Sequence, residues 1–138
     1  MLLDGRTKAC ICDFGLAEFQ QTHVCHERRG KPLYMAPEMY TQTAFDGYQC
    51  DIWSLGVMLF VMITGCPPVT VAAVQDVRFQ LLKACGVRHL IRVWDMKLPP
   101  AVIEILERLL VVEPENRMTV QELLVHPLIT APERSSLS

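Results

Sequence analysis

The stretch "DIWSLGVMLFVMITG", residues 51–65, decides the fold of this chain. Apolar side chains cover nearly every face of a helix drawn through it, and such a helix belongs at the centre of a domain, with neighbours on all sides. Asp51 is a favourable N-cap residue, and Gly65 with two prolines soon after it is a typical helix end. The apolar run, residues 52–63, is too short to cross a bilayer, which favours a buried helix.

Helical patterns continue after the central helix. Residues 71–84 alternate apolar and polar side chains at helical spacing, and a Pro-Pro pair opens a further helix over residues 100–112. Thr119 is followed three positions later by Glu122, which is the pattern of a capping box and predicts a last helix ending near residue 125. The sequence therefore predicts about four to five helices around the central one.

The chain before the central helix has a different character. Asp4-Gly5 lies between two short β-prone runs and predicts a turn, so we expect a small N-terminal β-hairpin. Residues 14–48 show no sustained period and are rich in glycine and proline. A loop of that length inside a domain is unusual and is generally functional. The predicted class is mainly α, and α+β overall.

Composition narrows the class of protein. The chain has 138 residues, 51% hydrophobic and 20% charged, which fits one folded domain or part of one. The net charge of −2 gives no reason to expect nucleic acid or an anionic membrane as a partner. Six cysteines without a preceding signal peptide favour reduced thiols in the cytosol or nucleus.

Five short motifs follow one another in the order and spacing of a single family. They are "DFG" at 13–15, "APE" at 36–38, "DIWSLGV" at 51–57, "PENR" at 114–117 and "HP" at 126–127. In this combination, residues 1–129 resemble the C-terminal lobe of a eukaryotic-type protein kinase domain of the serine/threonine branch, followed by a flexible tail over 130–138. The resemblance implies that the intact domain transfers the γ-phosphate of MgATP to a protein hydroxyl.

The resemblance assigns roles in the loop between "DFG" and "APE", the activation segment. Asp13 would bind Mg²⁺, which prefers hard carboxylate oxygens. Gly15 would allow a sharp turn, and Phe14 would pack inward. Phosphorylation of Thr22 would order the loop through a nearby Arg-Arg pair.

The part of the activation segment that would contact the phosphoacceptor differs from the family at one residue. Many serine/threonine kinases carry a hydroxyl residue where this chain has Lys31, so the contact with the phosphoacceptor is altered here. The residues that would seat the substrate next to the acceptor are Pro32, Leu33, Tyr34 and Met35.

Other matched positions are structural by the same resemblance. Glu38 would pair with Arg117, whose planar guanidinium suits bidentate binding of a carboxylate. Asp51 would accept backbone N–H groups of the catalytic loop, and Trp53 and Gly56 would serve packing and close approach of helices.

Several parts of a kinase site have no counterpart in the sequence. We find no glycine-rich loop, no paired lysine and glutamate ahead of Asp13, and no catalytic base, so the isolated chain is predicted to be inactive and to bind ATP and Mg²⁺ only weakly. The central helix would lose neighbours and expose Leu55, Leu59 and Met62. The expected partners are a protein substrate or regulator, an N-terminal kinase segment, or a chaperone.

Three alternatives remain open. The chain could act as a non-catalytic binding module. It could hold structural zinc, although the spacing of the candidate ligands is poor. These ligands are Cys10, Cys12, His23, Cys25 and His26. Cys25 lies beside basic residues and is also a candidate reactive thiol. A nucleotide-binding protein of another class would need a P-loop or Rossmann fingerprint, and neither is present.

Overall fold

The computed structural model describes residues 2–3, 9–18 and 22–130, and within these ranges the chain is mainly helical. The helices are α1 (Glu38–Thr41), α2 (Gly47–Thr64), α3 (Val77–Val93), α4 (Pro100–Leu109), α5 (Val120–Leu124) and α6 (Pro127–Thr130), with a 3₁₀ turn at Pro114–Asn116. Strand β1 (Leu2–Leu3) pairs antiparallel with β2 (Ala9–Cys10), and β3 (Val24–Cys25) pairs antiparallel with β4 (Phe45–Asp46). The predicted class, mainly helical with a small antiparallel component, is confirmed.

Helix α2 contributes the largest side chains of the main hydrophobic core. Trp53, Val57 and Phe60 are completely buried, and α2 packs against α4. By length and composition alone α2 could cross a membrane, a test that the core helix of a soluble domain also passes. The helix is longer than the apolar run 52–63 that was predicted to be too short to cross a bilayer, so length does not exclude a span, and 33% of the helix is buried.

The start of α2 differs from the prediction. Asp46, not Asp51, is the N-cap, and its carboxylate accepts hydrogen bonds from the backbone N–H groups of Tyr48 at 2.8 Å and Gln49 at 3.3 Å. The earlier aspartate already satisfies the first free N–H groups, so Asp51 lies inside the helix. The predicted end is confirmed, because Gly65 closes the helix at a φ of 75°.

The predicted apolar patch on α2 is only partly present. Met62 is 65% exposed, but Leu55 and Leu59 are half-buried. Leu59 packs against both hydrophobic clusters of the domain. The prediction is therefore wrong for Leu59, because residues from the later helices of this chain cover it.

Helix α3 also differs from the prediction for residues 71–84. Residues 71–76 are not helical, and α3 continues beyond Ala84 to Val93 across a kink at Gly86, whose φ is 76° and ψ 167°. The apolar residues Ala72 and Ala73 are buried in the loop before the helix. These buried alanines produced an apolar spacing like that of a helix, although the residues around them are not helical.

The loop before α3 is organised by the carboxylate of Asp76. One oxygen accepts the backbone N–H groups of Arg78 at 2.7 Å and Phe79 at 3.0 Å. The other accepts the N–H groups of Thr70 at 2.7 Å and Val71 at 3.1 Å, and the Thr70 hydroxyl as well. Burial by itself raises the pKa of this carboxyl, but the hydrogen bonds from Thr70, Phe79 and Val71 outweigh it and lower the pKa to about 2.

This hydrogen-bond network predicts acid sensitivity. The folded-state pKa of Asp76 lies below its unfolded value, so its contribution to stability is present above about pH 4 and is lost as the pH falls towards 2. We expect Asp76→Asn to lower the free energy of unfolding by about 2 kcal/mol at pH 7. Urea unfolding of both proteins between pH 7 and pH 3 measures this difference, which should shrink at the acid end. A constant difference across that range would contradict the assignment.

The predicted start of α4 and the predicted capping box of α5 are both confirmed, whereas the predicted end of α4 is not. Helix α4 begins at Pro100 as predicted but ends at Leu109, and the carbonyl groups of Val111 and Val112 after it accept hydrogen bonds from the Arg117 guanidinium. The capping box of α5 is present, with Glu122 N–H donating to the Thr119 hydroxyl at 3.2 Å and Thr119 N–H donating to Glu122 Oε2 at 2.8 Å.

The N-terminal strand pair has a definite register. Leu2 is opposite Cys10 and Leu3 is opposite Ala9. The pairing agrees with an N-terminal hairpin, whereas the predicted Asp4-Gly5 turn lies outside the described residues. So does the predicted tail over residues 130–138, apart from Thr130, which ends α6.

Candidate functional site

Asp13 follows strand β2 closely and has an unusual backbone conformation. Its φ is 65°, in the left-handed region that few residues other than glycine adopt. Its side chain is exposed, and a turn follows in which Ala17 N–H donates to the Phe14 carbonyl at 3.0 Å. Backbone outliers of this kind cluster at functional sites, and among the described non-glycine residues only Asp13 and Asp95, whose φ is 50°, have a positive φ.

Phe14 does not pack inward as predicted. The residue is 68% exposed, and so are its apolar neighbours Ile11 and Leu16 to a similar or greater extent. Nothing in the described part of the chain forms a pocket for this ring. The prediction transferred a packing role from the family, and that role needs surfaces that these residues do not supply.

The middle of the activation segment docks on the start of α2. Strand β3 pairs with β4, Gly47 N–H donates to the His23 carbonyl at 2.8 Å, and the His23 and Tyr48 rings lie 4.4 Å apart. Thr22 is exposed at the edge of this contact.

The arginine pair proposed for a Thr22 phosphate is partly engaged already. The Arg29 guanidinium pairs with Glu27 at 2.6 Å, in an exposed contact within the loop itself. Binding of a phosphate at Thr22 by Arg29 would therefore compete with Glu27. Phosphorylation of Thr22 stays a prediction.

The acceptor-side loop, residues 31–35, is fixed to α2. Tyr34 N–H donates to the Lys31 carbonyl at 2.9 Å and closes a turn. The Ser54 hydroxyl on α2 donates to the Tyr34 carbonyl at 2.8 Å. Lys31 and Pro32 are exposed, Leu33 and Tyr34 are half-buried, and Met35 is buried.

The structure brings Glu38 and Arg117 together in a buried, bidentate ion pair. Arg117 Nη1 lies 2.7 Å from Glu38 Oε1 and Nη2 lies 3.1 Å from Oε2, with side-chain exposures of 0% and 1%. The same guanidinium donates to the carbonyls of Gln49 at 2.6 Å, Val111 at 2.9 Å and Val112 at 3.3 Å. All five N–H donors of an arginine thus have partners, and the end of the activation segment is fastened to α2 and to the loop after α4.

Two neighbours complete this buried cluster. The Trp53 ring lies 5.3 Å from Arg117 Cζ, a cation–π geometry. The Cys50 thiol donates to Glu38 Oε1 at 3.5 Å, and burial together with the Glu38 carboxylate raises the pKa of this thiol. Cys50 is therefore a protonated donor within the cluster.

Asp51 is not brought to a partner. It is exposed, and no hydrogen bond to its carboxylate is found among the described residues. Partial desolvation by the surrounding protein raises the pKa of this carboxyl. The catalytic-loop contacts that the resemblance implies for Asp51 remain a prediction.

Gly56 lies at the contact between α2 and α4. A Cβ atom added to it would lie 2.9 Å from Leu109 Cβ and 2.9 Å from Leu110 Cδ2. Real Cβ atoms essentially never come so close to another carbon. Only glycine lets the two helices approach to this distance.

The proposed zinc ligands do not gather. Across residues 2–3, 9–18 and 22–130, no group of three or more His, Cys, Asp or Glu side chains is placed to hold a metal ion. For Cys25, burial and the nearby carboxylates of Glu18, Asp51 and Asp46 raise the pKa of the thiol. A raised pKa lowers the thiolate fraction and argues against the reactive cysteine predicted there.

Magnesium makes a smaller demand on the protein than zinc. It keeps several waters and takes one or two carboxylates together with substrate phosphates. The exposed Asp13 carboxylate fits one such ligand. The residues described here thus suit a shared Mg²⁺ site and not an all-protein cage.

Sequence reasoning missed two members of the site, Ser54 and Cys50. Each bonds a group in the activation segment that is 12 to 20 residues away in sequence. A serine in the middle of an apolar helix was the available signal for Ser54, because a buried hydroxyl needs a partner. No local signal indicated Cys50.

An exposed, strained aspartate begins a long loop, a buried ion pair fastens the end of that loop, and an apolar helix lies beneath it. This is the arrangement expected of the C-terminal lobe of a protein kinase. The family model described as "Protein kinase domain" matches residues 1–129 of the chain. The chain belongs to the eukaryotic-type protein kinase family.

Its relatives are serine/threonine kinases. The chain is 33% identical to serine/threonine-protein kinase kin-29 of Caenorhabditis briggsae, with 91% of this chain and 15% of that protein covered. It is 30% identical to CBL-interacting serine/threonine-protein kinase 5 of Arabidopsis thaliana, with 92% and 28% covered. It is 34% identical to serine/threonine-protein kinase fused of Drosophila melanogaster, with 94% and 15% covered. The chain thus spans between 15% and 28% of the length of these three proteins.

Proposed function

We propose that this chain is the metal-binding, activation and substrate-side portion of a serine/threonine protein kinase domain. The complete domain would transfer the γ-phosphate of ATP to a protein hydroxyl. The observation that carries the proposal is the fixed loop at residues 31–38, which Ser54 holds at one end and the buried Glu38–Arg117 pair holds at the other. A substrate loop needs such rigidity, because phosphoryl transfer depends on positioning.

In this proposal Asp13 and the residues of the 31–38 loop have separate roles. The Asp13 carboxylate would hold Mg²⁺, which neutralises charge on the β- and γ-phosphates when bound. Residues 32–35 would seat the substrate chain beside the phosphoacceptor. Lys31, exposed at the start of this loop, would meet the substrate with a cation in place of a hydroxyl. The site of action would be the cytosol or nucleus.

The isolated chain is expected to be inactive. Electrostatic catalysis of phosphoryl transfer needs several groups acting together, and this chain supplies one metal ligand. We expect no transfer of radiolabelled γ-phosphate from ATP to a mixture of protein substrates above that of the Asp13→Ala variant. Transfer that Asp13→Ala abolishes would contradict the predicted inactivity of the chain alone.

The mass of the endogenous protein determines which form should be assayed for kinase activity. Endogenous protein captured by an antibody to residues 131–138 would be weighed intact against the 15.7 kDa of this chain. If a heavier species is found, its kinase activity should fall to background in Asp13→Ala and remain in Asp95→Asn, a change in an exposed loop. Activity retained in Asp13→Ala would reject the role of Asp13.

A second candidate, a non-catalytic binding module, is favoured by the exposed Asp51 and Met62 on α2. The partner that covers this exposed face of α2 would be an N-terminal kinase segment or a chaperone. A protein substrate or regulator would bind to another surface. An endogenous species at 15.7 kDa without ATP-dependent transfer would favour this candidate over the first.

A further inference from the structure

A cavity of about 400 Å³ lies between α1 and α3, and we call it the α1–α3 cavity. Its walls are α1 with Gln42, the loop over residues 72–75, the first turns of α3, and residues 112–115. Among its lining residues Phe79 is buried and Val74 is 67% exposed. The size is that of sites that take small ligands or one or two side chains.

Two of the walls are held together by the Arg117 guanidinium. It pairs with Glu38, which begins α1, and it donates to the Val112 carbonyl, which begins the 112–115 wall. The ion pair with Glu38 is buried, and the contact with Val112 is part-buried. The spacing of these two walls is therefore set by a rigid bidentate group.

The third wall is held by separate hydrogen bonds. Gln80 Nε2 donates to the Val74 carbonyl at 2.6 Å, and Asp76 ties the loop that precedes α3 to the first turn of that helix. Since every wall is fixed by side-chain contacts, the cavity exists before a ligand arrives. A preformed site avoids the entropy cost of ordering its walls on binding.

The rim of the cavity carries charge of opposite sign on different walls. Glu113 and Glu115 lie on the 112–115 wall, and Lys83 lies on α3. All three are exposed, and within the described residues no hydrogen bond or ion pair is made by their side chains. These charges are available to a ligand, with two anions on one side.

We propose that the α1–α3 cavity binds a short segment of a partner protein that inserts one apolar side chain and places a basic residue against Glu113 and Glu115. The apolar walls favour the side chain, and the paired carboxylates favour arginine or lysine next to it. The fixed walls and the exposed Val74 among them suit an extended segment that enters and leaves the cavity. The proposal uses no catalytic group, and it shares with the proposed kinase function only the end of the 31–38 loop, where Pro37 and Glu38 line the cavity.

A peptide array tests the proposed recognition with the full chain. Immobilised hexapeptides would carry Leu, Met, Phe or Ala at one position and Arg, Lys, Gln or Glu two positions later, and binding of the fluorescent chain would be measured at physiological salt. We expect binding only where a large apolar residue and a basic residue occur together. Equal binding of the basic and acidic peptides, or no binding at all, would overturn the proposal.

The best peptide would then be titrated against two variants of matched charge. The rim variant is Glu113→Lys with Glu115→Lys, and the control is Glu18→Lys with Glu27→Lys, all at exposed positions. We expect the rim variant to bind about tenfold or more weakly and the control to bind as the parent chain does. Equal weakening in both variants would show general charge attraction and reject the site.

Discussion

Replacement of Arg117 by methionine is expected to remove about 3–5 kcal/mol from the free energy of unfolding, because the substitution leaves the buried Glu38 carboxylate without its partner. The same change strips the hydrogen-bond donors from the carbonyls of Gln49, Val111 and Val112. Small domains are stable by about 5–15 kcal/mol, so a loss of this size would bring a domain at the lower end of that range close to unfolding. Urea unfolding followed by tryptophan fluorescence measures the loss.

Arg88→Met is the matched control. Arg88 makes the same bidentate contact with Glu107, with two N–O distances of 2.6 Å, but both groups are exposed or half-exposed. An exposed pair is worth about 0.2–1 kcal/mol, so the control should lose far less stability than Arg117→Met. Similar losses in the two variants would show that burial is not the cause.

The double variant Glu38→Met with Arg117→Met separates the pair from the stranded charge. Apolar replacement of both partners of a buried pair is often close to neutral. We therefore expect the double variant to be more stable than Arg117→Met alone. A double variant that loses the sum of both single losses would mean that the carbonyl contacts of Arg117, and not its charge, dominate.

The parts of the fold that were predictable from sequence are those with local causes. Gly65 ends α2 because it adopts a positive φ, and Thr119 with Glu122 begins α5 because the two residues cap one turn. The start of α2 was missed because two aspartates compete as N-cap, and only the position of β4 decides in favour of Asp46.

The site was predictable mainly through the family resemblance. Glu38 and Arg117 are 79 residues apart, and no period or spacing in the chain pairs them. Phe14 shows the limit of that resemblance, because its inward packing depends on neighbours that the described residues do not provide. Contacts inside these residues could be transferred from the family, whereas contacts that reach beyond them could not.

Replacement of Gly56 by valine is expected to cost about 3 kcal/mol or more, at the upper end of typical overpacking losses. Helix propensity alone predicts the opposite sign, because glycine is among the poorest residues in a helix interior. The steric term should win because one of the two clashing atoms is Leu109 Cβ, which cannot move without its backbone. Thermal and urea unfolding of the variant measure the balance.

A control and a coupled variant test whether the α2–α4 contact is the cause. Ala101→Val adds a branched side chain at an exposed position of α4 and should cost less than about 1 kcal/mol. Leu110→Ala removes the other clashing atom, so the double variant Gly56→Val with Leu110→Ala should be more stable than the two single losses predict, by about 0.5–3 kcal/mol. Additive losses would mean that the contact with Leu110 contributes little, and that the cost comes from Leu109 Cβ or from α2 itself. A favourable coupling would instead show that the close approach of α4 to α2 requires Gly56. This approach also positions the loop after α4, whose carbonyls bind Arg117.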